Sequence, residues 1–147
     1  MADTANPSLP TIRVERLANT LPQTAQAALF TVTGRVKIID IVGEVTTIIQ
    51  AGANNAKLVA NPTVGADVDL CAILDIDTDA VGTLYSISGT FANAMIETVS
   101  GAFETQAGAA ILAAGTLDLN CDASKTGEVK WTVTYQPLDQ ISSIVVA

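Results

Sequence analysis

Residues 116–135 read "TLDLNCDASKTGEVKWTVTY", and their reading decides the fold class. Val129, Trp131, Val133 and Tyr135 alternate with Glu128, Lys130, Thr132 and Thr134. Strict period two, with one apolar and one polar face, marks a half-buried β-strand. Thr116–Cys121 repeats the pattern, with Leu117, Leu119 and Cys121 on one parity and Thr116, Asp118 and Asn120 on the other. The segment between them, "DASKTG", is short and polar and ends in glycine. The expectation is a β-hairpin whose Gly127 takes the left-handed conformation. Trp131, on the apolar face, is expected in the core rather than at a surface.

The turn also holds Lys125-Thr126-Gly127, a box found in penicillin-binding proteins and β-lactamases. That chemistry needs a serine with a lysine three residues on, and an S-D-N triplet. The chain has neither. A phosphate loop places its lysine after the glycine and before a helix. Here the glycine follows the lysine and a strand follows the glycine. The box is read as a turn.

Outward from this pair the signal stays β. "LFTVTGRVKIIDIVGEVTTIIQ" (residues 29–50) is rich in β-branched residues. Val32, Val36 and Ile38 keep one parity, and Ile39 and Ile41 shift to the other. That switch near Ile38–Asp40 predicts a bulge or a change of sheet. Gly43 is expected to divide the segment into two strands. Further strands are expected at Lys57–Ala60, Asp67–Ile76, Thr83–Ser88, Ala110–Ala113 and Ser143–Val146. "GANN", "NPTVG" and "DTDAVG" supply turn chemistry between strands. "SGAFETQAGAAILAAG" (residues 100–115) reads as a loop or a short helix. About eight short strands at regular spacing indicate an all-β fold, a β-sandwich or a jelly-roll-like barrel.

The first 28 residues differ. Pro7, Pro10 and Pro22 interrupt them, and no periodicity is sustained. The expected division is an extended N-terminal arm over 1–28 and a β-domain over 29–147. The arm would carry a brief strand near Ile12–Glu15 and one helical turn at "QTAQAA" (residues 23–28), and would reach over a neighbour.

Bulk properties narrow the function. The chain has 147 residues, 49% hydrophobic and only 15% charged. That excludes ordinary disorder, and it implies apolar surface that an assembly contact would cover. No apolar run reaches the ~18 residues that span a membrane. The opening "MADTANPSLPTIRVERL" lacks the pattern of a secretory signal, so synthesis in a cytosol is expected. Cys71 and Cys121 are then expected as free thiols, a mutual disulfide being the alternative. With 15 acidic against seven basic residues, net charge −8, a cationic face for nucleic acid is hard to build. A basic protein partner is easier to match.

No histidine is present, which removes the commonest general base and zinc ligand. A carboxylate pair can cleave a glycoside, but aromatic residues, the usual platforms for sugars, are only 4% of the chain. The expectation is no enzyme and no cofactor. One acidic cluster is a weak metal candidate, "DVDLCAILDIDTD" (residues 67–79). Asp75, Asp77 and Asp79 take positions 1, 3 and 5 of an EF-hand-like calcium loop. Ala80 stands where that loop needs glycine and Ser86 where it needs glutamate. The alternative is a solvated strand edge whose charge discourages stray pairing.

"FTVTGRVKIIDIVGEVTTIIQAGANNAKLVANPT" (residues 30–63) and "SKTGEVKWTVTYQPLD" (residues 124–139) resemble small proteins encoded among the head genes of tailed bacteriophages. The likeness runs from about Phe30 to Asp139. It implies a capsid decoration or cement protein: a β-rich homo-dimer or homo-trimer on the exterior of the virion, clamping seams between subunits of the major capsid protein. It carries no residue-level binding motif. The alternative is a virion tail or fibre module that recognises a partner or a host surface.

Overall fold

The computed structural model describes residues 10–147. In chain order its strands are β1 (Ile12–Thr20), β2 (Ala25–Thr33), β3 (Val36–Thr47), β4 (Asn55–Pro62), β5 (Val68–Asp69), β6 (Leu74–Asp75), β7 (Leu84–Ser86), β8 (Ile96–Thr98), β9 (Ala110–Leu112), β10 (Gly115–Cys121), β11 (Glu128–Pro137) and β12 (Ser143–Val146). The described residues contain no helix.

The strands form two antiparallel sheets. The first runs β1-β11-β3-β7-β8, with β9 pairing the start of β3. The second runs β12-β2-β10-β4-β5, with β6 also on β4. The architecture is a β-sandwich and not a closed barrel. Alternation explains it. On β11, Val129, Trp131, Val133 and Tyr135 are buried and their neighbours half-exposed. Leu117, Leu119 and Cys121 of β10 face the same core from the other sheet. Each large apolar side chain so buried contributes roughly 1.5–3 kcal/mol.

The expected hairpin is corrected by this arrangement. β10 pairs with β2 and β4, whereas β11 pairs with β1 and β3. "DASKTG" is therefore an arch that carries the chain from one sheet to the other. Both strands do have an apolar face, but the faces oppose each other across the core. Gly127 has φ +135°, and a Cβ there would lie 3.0 Å from the Ile49 Cα. A side chain is excluded by conformation and by space alike.

The parity switch in residues 29–50 is a bulge. Tyr135 pairs with Ile38 and Thr134 with Asp40, leaving Ile39 as the extra residue. Gly43 does not divide the segment. β3 runs unbroken through it, and the break lies earlier, at Gly34–Arg35, where the chain changes sheets.

The arm is also corrected. From Ile12 to Thr20 the chain pairs with β11, and its Ile12 and Val14 pack on the core. "QTAQAA" holds no helical turn, because Ala25–Ala28 begin β2 and pair with β10. Short side chains and Thr11-Ile12-Arg13-Val14 alternation suit an edge strand, and sheet pairing overrides weak local propensity. The part of the expected arm over residues 1–9 lies outside the described residues.

Candidate functional site

Asp75, Asp77 and Asp79 leave the end of β6 in an irregular segment. Asp75 Oδ1 accepts from the backbone N–H of Asn54 at 2.9 Å and of Asp77 at 3.1 Å. Asp77 Oδ1 accepts from the Gly52 N–H at 2.7 Å. Asp79 Oδ2 accepts from the Tyr85 hydroxyl. The three carboxylates thus hold the "GANN" loop and Tyr85 in place. Among the described residues no three His, Cys, Asp or Glu side chains are gathered to hold a metal ion.

The alternation of β7 and β8 brings a fourth acid to this region, one that spacing along the chain did not reveal. Glu97 on β8 pairs with Tyr85 on β7. Desolvation, with Asp79 and Asp75 nearby, pushes its carboxyl up to about 7. Burial, then the bond to Asp79, also raises the Tyr85 hydroxyl. The ring of Tyr85 stacks on Trp131 with centroids 6.2 Å apart.

Lys125 and Thr126 work as arch residues. The Lys125 ammonium donates to the Ala51 carbonyl at 3.2 Å, and the Thr126 N–H donates to Gln50 Oε1 at 3.0 Å. Gln50 N–H returns a bond to the Thr126 carbonyl at 2.9 Å. No serine nucleophile is among these partners. Cys71 and Cys121 are both buried and unbridged. Burial pushes the Cys121 thiol up to about 12 and raises that of Cys71 as well. A protonated, buried thiol is a poor nucleophile.

A further polar cluster covers the outer face of the second sheet. Asp118 on β10 is buried there, and its Oδ2 accepts from Gln26 Nε2 at 2.9 Å and Asn61 Nδ2 at 3.2 Å. Gln26 also donates to Asp67 at 2.9 Å. This network ties β2, β10 and the segment after β4 together.

The surface, rather than these polar clusters, stands out. Clefts open on it, one mainly apolar and another mixed. One, about 320 Å³, lies where β9 of the first sheet meets β4 and β5 of the second. Val64, Val68, Phe91 and Ile111 line it, and Val64 and Ile111 are 87% and 65% exposed. The other, about 430 Å³, lies along the seam between the edge strands β1 and β12. Glu15, Arg16 and Asn19 line it beside Leu17, Ala18 and the C-terminal Val146–Ala147, with Leu17 77% exposed. Val145, on β12, is exposed as well. Exposed apolar groups in such number on a small domain mark contact surfaces. Pattern reasoning foresaw the excess but not its location, since location depends on which strands become edges.

Comparison of the chain with protein-family models, with curated proteins and with solved structures finds no match.

Proposed function

We propose that the protein is a structural component of a tailed-phage virion that binds the exterior of the head and cements contacts between major capsid subunits. In this reading it is no enzyme, takes no cofactor, binds neither nucleic acid nor membrane, and assembles with itself. The observation that supports it most is the set of exposed apolar side chains on an acidic sandwich, with Val64 and Ile111 at one cleft and Leu17 at another. A cement protein needs adhesive faces held at a fixed angle, and two sheets packed on one core hold them so. The net charge of −8 complements basic patches on a partner. The resemblance of residues 30–63 and 124–139 to phage head-gene products points to the same role.

Binding to heads that lack the protein tests the proposal. Regular density over the capsid seams in cryo-electron microscopy, with heads made more resistant to heat, is the expected result. Density confined to a tail or a single vertex would replace it with the tail or fibre reading.

A further inference from the structure

β1 is the longest edge strand of the sandwich. Its only strand partner among the described residues is β11. The other edges are short: β12, β8, β5 and β6 run two to four residues each. A long open edge is a template for another strand unless a blocking charge or a bulge interrupts it. β1 bulges against β11 at Leu17–Ala18, which leaves Ile12–Arg16 as its regular stretch. That stretch carries charges of opposite sign two residues apart. Arg13 and Glu15 point to the outer face, 3.7 Å from each other, while Ile12, Val14 and Arg16 face inward.

We propose that two copies of the protein pair antiparallel through β1, about a two-fold axis at Val14. In that register Arg13 of each copy lies opposite Glu15 of the other, and Val14 lies opposite Val14. The neighbouring registers fail. Centring on Arg13 sets Arg13 against Arg13, and centring on Glu15 sets Glu15 against Glu15. Like charges directly opposite on a sheet face are unfavourable. Registers between these set the core face of one copy against the outer face of the other.

The same register uses the regular stretch whole: Ile12 of each copy lies opposite Arg16 of the other, and the ladder ends where β1 bulges. Just beyond it, Leu17, 77% exposed, and Ala18 line the cleft of about 430 Å³ beside β12, next to Thr11 and Pro10 of the partner copy. Pro10 lacks an N–H and adds no further bond. Pairing of this kind is isologous, joining two first sheets into one continuous sheet. It narrows the self-association in the cement reading to a dimer, but it is tested on the protein alone and stands or falls separately from capsid binding.

Sedimentation equilibrium of the full chain is the test, with Arg13→Glu, Glu15→Arg and the double exchange Arg13→Glu/Glu15→Arg. Both residues are exposed, so the variants keep the fold. The wild type is expected at twice the chain mass. Each single variant should weaken the dimer about tenfold, because two symmetric pairs become repulsive. The double exchange should restore it. A monomer at every concentration, a trimer, single variants with unchanged association, or a double exchange that fails to restore it would each overturn the proposal.

Discussion

Gly43 lies directly opposite Trp131 on one side and Tyr85 on the other, and its missing side chain is where the indole rests. A Cβ added there would meet three atoms of the Trp131 ring at 2.8–2.9 Å. The glycine lets the two aromatic rings close over β3 and stack. Gly43→Ala should therefore lower stability by about 1–3 kcal/mol, the range for overpacking a filled core. Urea unfolding measures the loss, and a changed near-ultraviolet circular dichroism signal from Trp131 would locate it. Unaltered stability would show that the ring has room to move.

Glu97 should give the protein a pH-dependent stability. Its folded carboxyl holds a proton up to about 7, against 4.5 in an ordinary carboxyl. The folded state therefore binds this proton more tightly than the unfolded chain does. The stability contributed is fully present below 4.5 and is lost as pH rises through 7. Asp139 acts in the opposite sense. Its bonds from Arg35 hold it at about 2, so its contribution is present above 3.8 and is lost as pH falls toward 2. Melting temperature should peak in the mildly acidic range. Glu97→Gln should flatten the decline between pH 5 and 7, whereas a decline of the same slope in the variant would assign it to other groups.

Cys71 and Cys121 should resist thiol reagents in the native protein at neutral pH and react fully in denaturant. The Leu58 N–H donates to Cys71 Sγ at 3.3 Å, and both thiols are buried. Ellman titration with and without urea separates the states. Fast native labelling of either residue would show that the core opens locally.

Asp75 is a structural acceptor for two backbone N–H groups. Asp75→Ala should cost about 1–3 kcal/mol by leaving those donors without their charged partner, the Asn54 N–H being part-buried. Calcium should leave the melting temperature of the wild type unchanged. A calcium-dependent rise that disappears in the Asp75→Asn/Asp77→Asn/Asp79→Asn variant would instead restore the metal reading.

Deleting residues 1–28 should abolish cooperative unfolding. The cut removes all of β1, exposes the edge of β11, and takes Ala25–Ala28 from β2. It also removes Leu21, which is 3% exposed. A truncated chain that still melts cooperatively would return this region to the status of an arm.

The sequence by itself determined what depends on neighbours along the chain. Period two in Glu128–Tyr135 and Thr116–Cys121 makes strands, and the side each residue turns to the core follows from the same alternation. Ser143–Val146 was legible to its end residues, and the slip of parity at Ile39 showed the bulge. The tertiary structure decided what depends on partners. Two strands with matching apolar faces can pair side by side or oppose each other across a core, and alternation is identical in both cases. So the arch at "DASKTG" was invisible, as was the pairing of Ile12–Thr20, whose weak local pattern gains its stability only from β11. Gly43 looked like a breaker because its reason for being glycine, the Trp131 ring, lies 88 positions away in the chain. The acids show the same division. Asp75, Asp77 and Asp79 are one cluster in sequence, but only folding sets their oxygens on backbone N–H groups and Tyr85, and only strand pairing brings Glu97 to them.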